Sequence, residues 1–140
     1  MTDSTATVLS DEAVASAQSS LITLTELQLD MSLHMVASDA IAKDAGVGKL
    51  FEIVDGLYRD FQYANVQEKT PMPPQVTQSW ETEVLPALAD ITVKLRELWA
   101  KLKCTVEGGN EGKLLVDEFL VKAREENSAV VRLVGSLNYG

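Results

Sequence analysis

The chain has 140 residues, of which 46% are hydrophobic, and a formal net charge of −9. This length suits one domain with a single core, and the apolar content is too high for a disordered chain. The acidic balance disfavours binding to nucleic acids and to anionic membrane surfaces, because both depend on clustered lysine and arginine. We therefore expect no nucleic-acid partner and no stable membrane insertion.

The sequence has no signal-peptide pattern, no run of about 18 apolar residues, and a single cysteine, Cys104. A lone cysteine forms no disulfide within the chain, which fits a reducing compartment. We expect a soluble, intracellular protein. Cys104 itself is interpreted as a small apolar residue near a helix end, with no role as a nucleophile.

The first helix is predicted to begin after Ser10. Asp11 and Glu12 follow, and this is the arrangement typical of a helix N-cap with acids in the first turn. Because neither glycine nor proline occurs before Gly46, the helix is predicted to run to about Ala45. Gly46 would then act as its C-cap.

Residues 26–35 alternate polar and apolar side chains, which taken alone is typical of a β-strand. The segment contains no β-branched residue, and nothing else in the chain resembles a partner strand. We therefore predict that the first helix continues through it.

As a helix, this part of the chain is apolar on two sides. One side consists of Leu21, Leu24, Leu27, Met31 and Met35. The nearly opposite side consists of Ile22, Leu29, Leu33 and Val36. The core of the domain covers one side, so the second side requires another helix of this chain or another molecule. We interpret it as a candidate interaction surface.

Between these two sides, Glu26, Asp30 and His34 follow one another at four-residue spacing and share one face of the helix. Carboxylates and histidine on one helix face are potential metal ligands. However, the chain has no Glu-x-x-His pair of the di-iron type, and it lacks the ligands for a Cys/His zinc site. A solvated polar stripe is the preferred interpretation, and we expect no cofactor.

A lone histidine in an acidic helical chain resembles the histidine-phosphotransfer domains of two-component signalling. In that family a lysine and then a glycine follow the histidine, whereas here His34 is followed by Met35, Val36, Ala37 and Ser38. One histidine also gives no defensible Ser/His/Asp set. We therefore predict that the protein is not an enzyme.

The second helix is predicted from about Lys49 to Val66. Its buried side consists of Leu50, Val54, Leu57 and Phe61. Gly56 lies inside it and indicates a close helix crossing, because glycine otherwise weakens a helix. Three prolines at positions 71, 73 and 74 then give a stiff, extended connection to the next helix.

The third helix carries an apolar stripe at alternating spacings of four and three: Trp80, Val84, Leu88, Ile91, Leu95, Leu98 and Leu102. Because this stripe continues through Pro86, we predict a kink and not two separate helices. Trp80 and Trp99 are predicted to be core residues. Asn110 is the expected N-cap of the last helix.

The last helix repeats this spacing at Val116, Leu120, Ala123, Asn127, Val130, Val134 and Leu137. Asn127 is the polar member of the stripe. Either it fixes register or partner choice inside a coiled-coil seam, or it lies at the margin in water. The sequence leaves both interpretations open.

These patterns predict an all-α fold, a four-helix up-down bundle with a long first helix and a proline-rich connection between helices 2 and 3. Residues 1–9 are predicted to be a mobile lead and residues 10–140 a single domain. The predicted function is a non-catalytic interaction module, or a small subunit of a larger assembly, that packs helix against helix with itself or a protein partner. The predicted interaction residues are Ile22, Leu29, Leu33, Val36 and Asn127. The alternative is a bundle that binds a small molecule or metal along Glu26, Asp30 and His34.

Overall fold

The computed structural model of the chain describes residues 6–63 and 71–126. The helices are α1 (Asp11–Ala37), α2 (Asp39–Lys43), α3 (Ala45–Tyr63), α4 (Pro74–Ser79), α5 (Leu85–Glu107) and α6 (Lys113–Glu126), with a π-helical turn over Trp80–Val84 between α4 and α5. Within the two described ranges no strand is present, and the predicted all-α class is confirmed. Asn127, Val130, Val134 and Leu137 lie outside the described residues.

The start of α1 and its passage through residues 26–35 agree with the sequence. Ser10 is the N-cap, and its hydroxyl accepts a hydrogen bond from the Ala13 N–H at 3.1 Å. The helix then continues without interruption to Ala37. The alternating segment is therefore helical, as predicted.

The predicted extension of this helix to Ala45 is wrong. Ser38 adopts an extended conformation (φ −135°, ψ 118°), and its hydroxyl caps α2 by accepting from the Ile41 N–H. The Asp44 carboxylate caps α3 in the same way, accepting from the Val47 N–H at 3.0 Å. Short polar side chains compete with the helix for backbone N–H groups, so these two residues break it without glycine or proline.

Gly46 lies in the first turn of α3, and its predicted role as a C-cap is wrong. A Cβ at this position would collide with the backbone of Gly112 and Lys113. The Gly112 N–H in turn donates to the Asp44 carboxylate at 3.0 Å. The starts of α3 and α6 are therefore held in direct backbone contact.

Asn110 is not the N-cap of the last helix. α6 begins at Lys113, and the Gly112 carbonyl accepts from the Val116 N–H at 3.3 Å. The Asn110 N–H instead donates to the Thr105 carbonyl at 3.0 Å, closing the loop that ends α5. In that loop Gly109 has a φ of 90°, which favours glycine.

The core is formed by the predicted apolar stripes. All seven residues of the stripe from Trp80 to Leu102 are buried. The predicted inner residues of α3 are also buried: Leu50, Val54, Leu57 and Phe61. From α6, Val116 and Ala123 reach the core, while Leu120 is half-buried. Trp80 and Trp99 are core residues, as predicted.

The helical path is unbroken from Pro74 to Glu107, with Pro86 in the first turn of α5. The Leu85 N–H donates to the Trp80 carbonyl five residues earlier, which makes this turn a π-helix. Such turns accompany interruptions of the regular hydrogen-bond ladder, as a proline requires. The prediction that Pro86 does not divide the segment into two helices is confirmed.

Two pairs of contacts define how the long helices are arranged. α1 packs against both α3 and α5, and α6 packs against the same two helices. α1 and α6 therefore occupy diagonal positions. α1 runs parallel to α5, since Glu26 lies beside Arg96 and Asp30 lies beside Trp99.

Residues 6–10 lie against the segment that leads into α5. Thr7 and Met72 exchange two backbone hydrogen bonds of 2.8 Å, and the Thr7 hydroxyl donates to the Thr77 hydroxyl at 2.7 Å. Leu9 is buried. No sequence pattern predicted these contacts of the N-terminal lead, and its residues 1–5 lie outside the described ranges.

Gly56 lies in the interior of α3, and no atom of the described residues lies within 4 Å of a Cβ built at that position. Among these residues the predicted close helix crossing at Gly56 is not found. The residue carries the conformational cost of a helical glycine without a packing reason that would require it.

We expect Gly56→Ala to stabilise the protein by about 0.5–1 kcal/mol, because it restricts the unfolded chain and its Cβ meets no atom of residues 6–63 and 71–126. Gly46→Ala is the matched comparison. We expect it to destabilise by about 1–3 kcal/mol, because its Cβ meets the backbone of Gly112. Equilibrium unfolding in urea measures both changes. Equal effects of the two substitutions would contradict this account of the contact between the starts of α3 and α6.

Candidate functional site

α1 is held in place at its start and along its inner side. At its start, the Ser10 N–H donates to the Glu81 carboxylate at 2.7 Å. The predicted inner residues Leu21, Leu24, Leu27 and Met31 are buried, and Met35 is half-buried. These contacts orient the opposite side of the helix toward solvent.

The predicted interaction residues of α1 lie on that solvent side. Their exposed fractions are 58% for Ile22, 61% for Leu29, 61% for Leu33 and 89% for Val36. We call these four residues the outer face of α1. At the helical rise per residue, the face extends over about 21 Å. Large apolar side chains exposed along one line of a helix are typical of surfaces that bind other proteins.

Polar contacts border the outer face on both sides. Toward α3, the Gln28 amide donates to the Asp55 carboxylate at 2.9 Å. Toward α5, Glu26 lies 3.8 Å from Arg96, and both side chains of this pair are more than half exposed. Such a pair contributes little free energy. Residues 11–37 include no lysine or arginine, so the full charges that α1 carries are carboxylates.

The polar stripe of α1 is bound to α5. The Asp30 carboxylate accepts from the Trp99 indole N–H at 2.6 Å and from the Lys103 ammonium at 3.4 Å. His34 Nδ1 lies 2.9 Å from the Asp30 carbonyl oxygen and 3.5 Å from its carboxylate. Since both of these neighbours are acceptors, Nδ1 carries the proton and donates. The His34 ring also meets the Trp99 ring edge to face.

These contacts bear on the predicted metal candidates. Glu26, Asp30 and His34 lie along one face of α1, but each makes a different contact. Glu26 faces Arg96, and the carboxylate of Asp30 is occupied by donors from α5. Across residues 6–63 and 71–126, no group of three or more His, Cys, Asp or Glu side chains is placed to hold a metal ion. The stripe serves helix packing.

The hydrogen bond from Trp99 lowers the pKa of Asp30 below its ordinary value of 3.8. Partial burial of the carboxyl opposes this shift, while the charge of Lys103 adds to it. The Lys103 ammonium also lies 5.4 Å from the centre of the Trp99 ring, a cation–π distance. Asp30 therefore remains ionised at neutral pH and links α1 to α5 through a charged acceptor.

A second surface, which no sequence pattern predicted, lies between α5 and α6. It is a groove of about 690 Å³, and we call it the α5–α6 groove. Its apolar lining includes Leu98, Leu115, Phe119 and Val121. The sequence does contain one indication of this surface, a run of three consecutive apolar residues at 114–116. A helix with one buried side buries only part of such a run, so the rest is left for a second surface.

The chain matches no protein-family model, no curated protein sequence and no solved structure with which it was compared. In the part of the chain that the structure describes, no helix combines the length and the apolarity needed to cross a bilayer. Asn127, the fifth predicted interaction residue, lies outside that part. The outer face and the α5–α6 groove are therefore the features of the structure that bear on function.

Asp30→Asn tests the polar cluster, because asparagine keeps an acceptor for Trp99 but removes the charge that faces Lys103. We expect a loss of about 1 kcal/mol at neutral pH, near the lower end for a charged hydrogen bond because the site is partly exposed. The folded pKa of Asp30 is lowered, so its contribution is present above about pH 4 and is lost as the pH falls through the folded pKa. The loss in urea unfolding free energy should therefore shrink below about pH 4.

Asp90→Asn is the matched control, because Asp90 is an exposed carboxylate of α5 that pairs with Lys94 outside the cluster. It removes the same charge from the acidic chain. A loss for Asp30→Asn that equals the loss for Asp90→Asn, or that does not change with pH, would contradict the assignment.

Proposed function

We propose that the chain is a non-catalytic helical interaction module, or a small subunit of a larger assembly, that docks a protein partner on the outer face of α1. The observation that carries this proposal is the exposure of four large apolar side chains on a helix whose opposite side packs into the core. Burying one such side chain contributes about 1.5–3 kcal/mol, so a partner that covers the face recovers free energy that the isolated chain does not.

The spacing of the outer face supports a helix as the docking element. Ile22, Leu29 and Val36 recur every seven residues, and Leu33 follows Leu29 by four. This repeat keeps apolar side chains in line with a second helix that packs alongside. A flat or irregular partner surface gains nothing from such regularity.

We further propose that α1, α3, α5 and α6 form one four-helix bundle, because α1 and α6 pack on the same two helices. The predicted up-down order has less support, because α1 and its neighbour α5 are parallel. The exposed free thiol of Cys104 fits an intracellular setting, and the acidic charge favours a protein over a nucleic acid as partner. The alternative of a ligand held along the polar stripe has less support, because Trp99 and Lys103 already occupy Asp30.

A photo-crosslinking residue at position 33 tests the proposal in the source cell. We expect crosslinks from this position to protein, because Leu33 is exposed and lies between Leu29 and Val36 on the outer face. Adding Leu29→Asp should abolish them, since a charge in the face costs desolvation on docking. The same crosslinker at Val76, an exposed position of α4, is the control. If position 33 yields no more crosslinked protein than position 76, the outer face is not a docking surface.

A further inference from the structure

We infer that the partner of the outer face is a second copy of this chain, which receives α1 in its α5–α6 groove. This inference rests on the proposed role of the outer face and names its occupant. The groove is lined by residues of α5 and α6 and includes no residue of α1. The two surfaces are therefore separate parts of the same molecule.

The arrangement of the helices keeps a chain from filling its own groove. α1 and α6 are diagonal, and α1 is already fixed against α3 and α5 by its inner side. The outer face is exposed, and Ile22 at its start also lines a pocket with Tyr58 and Gln62 of α3. Contact between face and groove thus requires two molecules. The molecule that supplies the outer face keeps a free groove, and the molecule that supplies the groove keeps a free outer face. Such a contact is heterologous and allows further copies to add.

The two surfaces match in shape and polarity. The groove runs beside α5 from Lys94 to Lys101, which is about 10 Å of helix, or roughly half the length of the outer face. It therefore accommodates about one heptad of α1. The aliphatic side chains Ile22 and Leu29, which are one heptad apart, would meet an apolar lining that includes Val121, itself 60% exposed. An apolar helix face laid into an apolar groove is a common recognition mode.

Charge complementarity selects this occupant. In a chain of net charge −9, the groove is lined by three lysines and only two glutamates: Lys94, Lys101, Lys122, Glu97 and Glu118. Lys94 pairs with Asp90, whereas Lys101 and Lys122 form no ion pair within residues 6–63 and 71–126. α1 brings carboxylates and no lysine or arginine. Glu26 lies between Ile22 and Leu29 in sequence, and its only ion pair within the described ranges is the weak one with Arg96.

The same charges disfavour the simplest alternative, a two-fold pair of α1 helices. In that contact the outer face would meet itself, and Glu26 would approach the carboxylates of another α1 that has no lysine or arginine to offer. Like charges brought together across an interface are unfavourable. The groove supplies the opposite sign, so the heterologous contact is favoured.

Two variants of the full chain test the inference. The face variant carries Leu29→Asp and Leu33→Asp, and the groove variant carries Val121→Asp and Lys122→Glu. All four residues are exposed, so both proteins should fold, and their urea unfolding curves should stay close to that of the wild type. Sedimentation velocity is measured for each protein alone and for an equal mixture of the two variants.

We expect the wild type to grow beyond a dimer with concentration and each variant alone to be a monomer. The mixture should form a 1:1 dimer that grows no further, because one intact face meets one intact groove and no other pair remains. Adding Glu26→Lys to the groove variant should weaken this dimer at least about threefold, since an ion pair becomes a like-charge contact. Glu52→Lys, which makes the same charge change at an exposed position of α3 outside both surfaces, is the control for net charge.

Three results would overturn the inference. A groove variant that still dimerises alone would assign the outer face to a two-fold contact of α1 with itself. A mixture that stays monomeric would show that face and groove do not meet. A wild type that is monomeric at every concentration would assign both surfaces to other occupants. In this last case, crosslinks from position 33 to a different protein would leave the proposed interaction function standing.

Discussion

The Asp44 carboxylate joins the starts of two helices, and the positions of the other helices depend on this joint. It accepts from the Val47 N–H of α3 and from the Gly112 N–H just before α6. The two backbones approach so closely there that Gly46 has no room for a side chain. α6 is thereby placed against α3 and not against α1. With α3 and α5 as its neighbours, α1 has cover on its inner side only, and its outer face stays in water.

The core was predictable because burial along a helix follows a local period. The stripe from Trp80 to Leu102 and the inner side of α3 were identified from spacing alone, and every member is buried. The helix ends were less predictable. Ser38 and Asp44 are ordinary polar residues inside a helical pattern, and they become caps only where the chain must turn. The local sequence around Gly46 is typical of a helix end. Its actual constraint comes from Gly112, which is distant in sequence, so no local pattern indicates it.

The candidate site also contains features that one stretch of sequence predicts and features that depend on how the helices pack. The outer face was predictable because two apolar sides of one helix can be identified without knowing what packs against it. The contacts of the polar stripe were not predictable in this way. Asp30 meets the Trp99 indole across 69 positions of sequence, so its role depends on α5 lying beside α1. The α5–α6 groove also needs two helices to exist. No single stretch of the chain contains the pattern of lysines and apolar residues that lines it.

The acidic charge of the chain and its exposed apolar face place opposite demands on association. At long range, two copies of net charge −9 repel, and this repulsion is screened over about 10 Å at moderate salt. At contact, only the charges that face one another remain unscreened. A contact between two α1 helices retains the repulsion, because both sides are acidic. A contact of α1 with the lysine-lined groove reverses its sign locally, so net charge suppresses random apolar association while one specific geometry stays favourable.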